Sequence, residues 1–370
     1  MDNPIVVPCC YENADRQTKS NSQKQNSTEN ATFRPNSSSV EKNEYDSLSC
    51  IRNSFRSRGL SSKATSILLA SWRQSTRKGY KSYINKWLLF CSQQKVSETS
   101  PSVNDIIEFL TYLYDKGLGY SALNTARSTL SALGISIESF SAGQHPLVIR
   151  FLKGIYNIRP PQARYSNIWD VNLVLQYLRK LSPVRTLTLK DLTLKLVTLM
   201  ALTNAARVHS LHLLTISSLS KTSSEFVIYF EGLLKQSRPG EQFSFMHFKA
   251  YPPDRRLCVY FVIKEYLIRT RTLRNSGDTR FFISYVKPHK TVSKDTIARW
   301  IKTVMYRAGI NVNEFGPHSI RAAATSKAQS KGIPVEDIIK QAGWSNAGTF
   351  QKYYNKPITK KTFESAVLQT

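Results

Sequence analysis

The sequence predicts a mainly α-helical protein of two folded units, the second of which carries a small antiparallel β-sheet, an α+β class. Three observations support this. Apolar residues recur at helical spacing through most of the chain after Ser75. Only two strand-like runs stand out, residues 226–230 (FVIYF) and 243–248 (FSFMHF), on either side of the turn-rich stretch Leu234 to Gly240. Arg159-Pro160-Pro161-Gln162 interrupts the helical pattern and reads as a linker.

The elements follow in order. The first fifty residues are rich in Asn, Ser, Gln and Thr and show neither a helical nor a strand period, so a disordered polar tail is expected. From Ser75, Tyr80, Tyr83, Ile84, Trp87, Leu88 and Cys91 form one apolar stripe, with Arg77, Lys78, Lys81 and Lys86 off it. A second helix opens at Ser102 as N-cap and stops near Gly117. A third starts at Ser121, and a short one spans Val148 to Ile155. After the linker, Asp170 caps a helix over residues 171–180, and a longer apolar helix covers 189–202. The hairpin follows, and then helices at about 256–270, 293–308, 318–331, 334–341 and 346–354.

Charge narrows the partners. The chain holds 52 Lys and Arg against 25 Asp and Glu, a net charge of +27. The first 50 residues are net −2, so the excess belongs to the rest. A surface this basic attracts polyanions, with nucleic acid foremost. No apolar run approaches the roughly 20 residues that a membrane helix needs. The first ten residues lack the basic and apolar regions of a signal peptide. Cys9, Cys10, Cys50, Cys91 and Cys258 form no C-x-x-C pair, so neither a zinc site nor a disulfide framework is expected, and a reducing intracellular compartment fits.

Several residues could carry chemistry. Arg207 follows the long apolar helix, and Lys235 sits in the hairpin connection. In His318-Ser319-Ile320-Arg321 two cationic groups at i and i+3 share a helix face and can converge on one anion. Trp344 offers an indole N–H, a donor only. Tyr353 lies nine residues further on, with Tyr354 beside it. Each is commonplace alone. Together they make a site for a phosphodiester that needs no metal. Arginine forks match phosphate oxygens, and each preorganised donor is worth roughly 3 kcal/mol to a developing charge. A tyrosine hydroxyl can attack, and a lysine can protonate the leaving oxygen.

In order and spacing these residues resemble the tyrosine recombinases, or phage-integrase family. Arg207 and Lys235 are 28 apart, Arg321 and Trp344 are 23 apart, and Trp344 and Tyr353 are 9 apart. The resemblance implies a helical core-binding (SAM-like) domain followed by the family's catalytic domain. The boundaries are 1–58 for the polar tail, 59–158 for the core-binding domain, 159–168 for a linker and 169–370 for the catalytic domain. Lys287-Pro288-His289-Lys290 with Arg299-Trp300-Ile301, and the ending from Gly343 to Tyr354, look most like recombinases of eukaryotic DIRS-like mobile elements.

By that resemblance Arg207 and Arg321 would grip the non-bridging oxygens of the scissile phosphate, and His318 would assist as acid, base or donor. Trp344 would donate to a phosphate oxygen, and Lys235 would protonate the departing 5′ oxygen. Tyr353 would attack to leave a 3′-phosphotyrosyl bond, with Tyr354 the competing nucleophile. No cofactor or metal is implied. The partners would be double-stranded DNA and further copies of the chain, as a tetramer on paired sites, without a membrane and, for the eukaryotic placement, in the nucleus. Many members have Gly where this chain has Ala205, and an acid where it has Ser210. The alternatives are a type IB topoisomerase-like relaxing enzyme and an inactive, recombinase-derived DNA-binding protein.

Overall fold

The computed structural model describes residues 49–162, 164–235, 237, 240 and 245–358. Most of the polar tail, and the chain end from residue 359, lie outside the described residues. The chain divides into two compact units between Gln162 and Ala163. As expected, helices dominate and the sheets are small and antiparallel.

In the first unit the helices are α1 (Ser49–Ser57), α2 (Ser62–Ala70), α3 (Gln74–Gln94), α4 (Val103–Asp115), α5 (Tyr120–Ala132) and α6 (Pro146–Ile158). A two-residue pair of strands, β1 (Ser136–Ile137) and β2 (Phe140–Ser141), bridges α5 and α6. The predicted stripe of α3 turns inward. Trp87 lies fully buried against Phe109 of α4, their rings edge to face at 5.0 Å. Ser102 starts α4 with a reciprocal capping box: its hydroxyl accepts from Asp105 N while Asp105 accepts from Ser102 N.

The helix α1 corrects one expectation, that of a polar tail over residues 1–58, because residues 49–57 are helical. Ile51 is fully buried with Leu69 and Ile84, which anchors that helix on the unit. One buried isoleucine among Ser, Arg and Asn gives little periodic signal.

In the second unit α7 (Val171–Lys180), α8 (Leu189–Thr203), α9 (Val208–Leu213), α10 (Val259–Thr270), α11 (Lys294–Arg307) and α12 (Ser319–Ser330) build one core, and α13 (Val335–Ala342) packs in a second, smaller one. Every residue of α8 from Leu192 to Leu202 is buried, so this helix is the axis on which α10, α11 and α12 pack. Lys195 on that axis is buried too, and its ammonium donates to the carbonyls of Leu178 (2.8 Å) and Leu181 (2.6 Å) at the end of α7. Burial pulls its pKa down to about 8.

The hairpin lies within a three-stranded sheet rather than standing alone. The order is β3 (Leu214–Lys221), β4 (Glu225–Phe230), β5 (Phe245–Lys249), antiparallel throughout. Phe226, Ile228 and Phe248 point into the core. The serine-rich β3 was missed because its alternation is interrupted by a register shift between Leu214 and Leu219.

Candidate active site

The second unit brings the ends of α8, α12 and α13 together. The turn after α8, Asn204 to Ala206, leads to Arg207, which is the N-cap of α9 and half-buried. Ala205 in that turn has φ +43°, the left-handed region that favours glycine, at the position where many members of the resembled family have glycine.

Arg321 stands in the first turn of α12 and is 2 % exposed. Its Nη1 donates to Ala205 O at 2.7 Å and its Nη2 donates to Ala342 O. One guanidinium thus holds the turn that carries Arg207 and the end of the helix that precedes Trp344.

Gly343 ends α13 in the left-handed conformation (φ +64°). Gly343 N donates to Lys340 O and Trp344 N donates to Ile339 O, a Schellman closure. The closure sets Trp344 on Phe350, Ala342 and Ile338 in a small separate core. Its indole Nε1 is buried and has no hydrogen-bond acceptor among the described residues. An unsatisfied buried donor is costly, so this N–H fits an acceptor supplied by a ligand. The Arg321 guanidinium lies over the Trp344 ring at 4.4 Å.

His318 is the N-cap of α12. A short relay steadies its loop: Trp169 Nε1 donates to Ser319 Oγ (2.8 Å), which donates to Gly316 O (2.7 Å). His318 Nε2 lies 3.2 Å from the hydroxyl of Tyr354. Tyr354 is anchored in two further ways. Its ring packs on Trp344 at 4.5 Å, and its carbonyl accepts from Ser326 Oγ at 2.8 Å. The Tyr354 ring also lies 5.6 Å from the Arg321 guanidinium.

After a short helical turn at Ala347–Thr349, residues 350–354 form a π turn, closed by Asn355 N donating to Phe350 O at 2.8 Å. On this turn Tyr353 is 43 % exposed, with the Lys352 ammonium 5.4 Å from its ring. The hydroxyl that meets His318 is therefore that of Tyr354. Lys235 is exposed in the β4–β5 connection, directly after the buried Leu234.

Sequence reasoning thus named His318, Arg321 and Trp344, which the structure joins in one cluster, and Arg207, which follows the turn that Arg321 holds. It missed Ser326, Trp169 and Ser319, which hold that cluster in place. Nothing in their spacing marks them, because each acts through a contact distant in sequence. Ser210, where many relatives of the resembled family have an acid, is buried. His209 is exposed, and burial together with Arg280 pulls the His212 pKa down. Among the described residues no three His, Cys, Asp or Glu side chains group as metal ligands, and no helix is long and apolar enough to cross a membrane.

Comparisons with known proteins converge. Residues 67–133 match the phage integrase N-terminal SAM-like domain. The fold is similar to the XerH site-specific recombinase bound to a palindromic difH substrate in a post-cleavage complex, with a TM-score of 0.57 and 13 % identity over 89 % of this chain and 90 % of that one. It is also similar to the Tn1549 transposon integrase in complex with transposon right end DNA, with a TM-score of 0.56 and 13 % identity over 87 % of this chain and 97 % of that one. No curated protein matches the chain. Residues 175–359, half of the chain and most of its second unit, match the phage integrase family, and the chain belongs to that family of tyrosine recombinases.

Proposed function

We propose that this chain is a site-specific DNA recombinase that cuts and rejoins strands through Tyr354. The observation that carries the reading is the 3.2 Å contact between the Tyr354 hydroxyl and His318 Nε2, beside the Arg321 guanidinium. With the hydroxyl donating to a neutral Nε2, His318 can take the tyrosine proton as the phenol oxygen bonds to phosphorus. The bond from phosphorus to the 5′ oxygen breaks, and Lys235 on its exposed connection supplies the proton to that oxygen. Arg207 and Arg321 hold the non-bridging oxygens, and the Trp344 N–H donates to one of them. The product is a 3′-phosphotyrosyl bond and a free 5′-hydroxyl. The reverse steps join that phosphate to another 5′-hydroxyl, and the energy of the broken bond is kept throughout.

Several finer assignments belong to the same reading. The chain serves integration of a mobile element, of the DIRS-like kind that its Gly343–Tyr354 ending resembles, and so works in a nucleus. It acts as a tetramer on two DNA sites. Its excess of positive charge outside the first 50 residues supports a phosphate-dominated interface with duplex DNA. The decisive experiment is incubation of the full chain with nicked suicide substrates and mass mapping of the DNA-bound peptide. A covalent adduct at Tyr354 with strand exchange between two cognate sites is expected. Relaxation of supercoils without exchange would point to a topoisomerase, and no adduct on any substrate would overturn the reading.

A further inference from the structure

The outer face of the three-stranded sheet departs from the usual pattern. A sheet that packs one face on a core turns polar residues to the other. Here Tyr229 and Phe245 are paired across β4 and β5 and stand 36 % and 43 % exposed. Their rings meet edge to face at 5.5 Å. The next ring, His247, lies 5.0 Å from Phe245 on the same face and is exposed. Three aromatic rings therefore run as a continuous ladder in solvent.

Among the described residues, the neighbours leave this ladder open. Ser220 pairs with Val227 on the same face, and Ser218 and Ser220 are short and exposed, so the rings stand above the surface of β3. At the far end Lys249 pairs with Glu225, whose carboxylate lies 3.7 Å from His247 Nδ1. At the near end, directly after the Tyr229–Phe245 pair, the chain enters the connection that carries Lys235.

We propose that this aromatic ladder is a stacking platform for unpaired bases of single-stranded DNA beside the cleavage point. The occupant follows from charge and shape. Exposed rings in a chain of net charge +27 favour a ligand that offers both π-faces and negative charge. A single strand offers both, whereas a duplex hides its base faces. The reaction creates such a strand, because a freed 5′-hydroxyl end must leave its complement before it can join another duplex. The inference rests on the DNA-recombinase reading and adds a place for the displaced bases.

The test compares the full chain with two double variants. Tyr229→Ser/Phe245→Ser removes the rings, and Tyr229→Phe/Phe245→Tyr keeps them. Each is titrated with a labelled strand of about 20 nucleotides without self-complementarity, with the same sequence as duplex, and with the RNA strand. The serine variant is expected to bind the single DNA strand more weakly by about 30-fold or more, from the loss of two stacking rings. Duplex affinity should stay within about twofold, and the ring-keeping variant should match the parent protein on both. Unchanged single-strand affinity overturns the proposal, and so does an equal loss on duplex, which signals misfolding or a general defect. A change in self-association with unchanged single-strand binding marks a protein interface instead. RNA bound more tightly than DNA through the same rings also overturns it. If the parent chain binds neither form of DNA, the recombinase reading itself fails.

Discussion

Arg321 donates from Nη1 to the carbonyl of Ala205 at 2.7 Å, 116 residues earlier in the chain. With Nη2 on Ala342 O, one side chain ties the turn leading to Arg207 to the helix end leading to Trp344. A lysine carries the charge but has no fork. Arg321→Lys should therefore leave one of the two carbonyls unsatisfied and lower stability by about 2 kcal/mol. It should also abolish the covalent adduct. Urea unfolding with unchanged midpoint and slope would show that the bridge contributes nothing.

The two adjacent tyrosines can be separated by single substitutions. Tyr354→Phe is expected to eliminate the DNA adduct while leaving duplex affinity intact, and Tyr353→Phe to retain the adduct. Denaturing gels of suicide-substrate reactions read both. The opposite result would return the nucleophile to Tyr353, where the nine-residue spacing from Trp344 first pointed.

Lys235 offers a chemical test of its proton. Lys235→Ala should slow cleavage of an ordinary substrate by about 100-fold or more. A substrate with a 5′-thiolate leaving group needs no proton and should be cleaved at nearly the parent rate. Single-turnover rates that fall equally on both substrates would remove Lys235 as the acid.

Ala205 tests the backbone. A methyl-bearing residue at φ +43° is strained by about 1 kcal/mol or more, a strain that glycine does not feel. Ala205→Gly should therefore stay within about 0.5 kcal/mol of the parent, because relief offsets the lost methyl and the added chain entropy. The same exchange at Ala323, buried in α12, should cost at least about 1 kcal/mol. Equal losses at both positions, measured by denaturant unfolding, would argue against the left-handed turn.

Lys195 predicts a pH dependence. Its folded pKa of about 8 lies below the usual lysine value, so between the two the unfolded chain binds more protons. Stability from this group therefore rises as pH increases from about 8 to about 10.5, by on the order of 2 kcal/mol, and is flat below that window. Lys195→Met should remove the rise. Unfolding free energies of both proteins at pH 7.5 and 10 give the difference directly, and parallel curves would refute it.

Much of this was legible in the sequence, for identifiable reasons. Long amphipathic stripes such as that of α3, caps such as Ser102 and Asp170, and the proline-rich break all act locally, so local pattern exposes them. The spacing of His318, Arg321 and Trp344 pointed to side chains that the structure brings together. What stayed hidden depends on contacts across the chain. The carbonyls that hold Arg321 belong to alanines, which advertise nothing. The positive φ of Ala205 is set by the turn it completes, not by its own preference. The strand β3 reads as a serine-rich loop until β4 supplies its ladder.

The π turn at residues 350–354 has a consequence for how such sites diverge. A turn closed five residues on, instead of four, takes up one extra residue between fixed ends. An insertion or deletion of one residue after Trp344 can then be absorbed by rewinding this segment, and the hydroxyl keeps its place beside His318. The length of chain between the Trp344 indole and the hydroxyl beside His318 is thus set by the winding of this turn as well as by residue count.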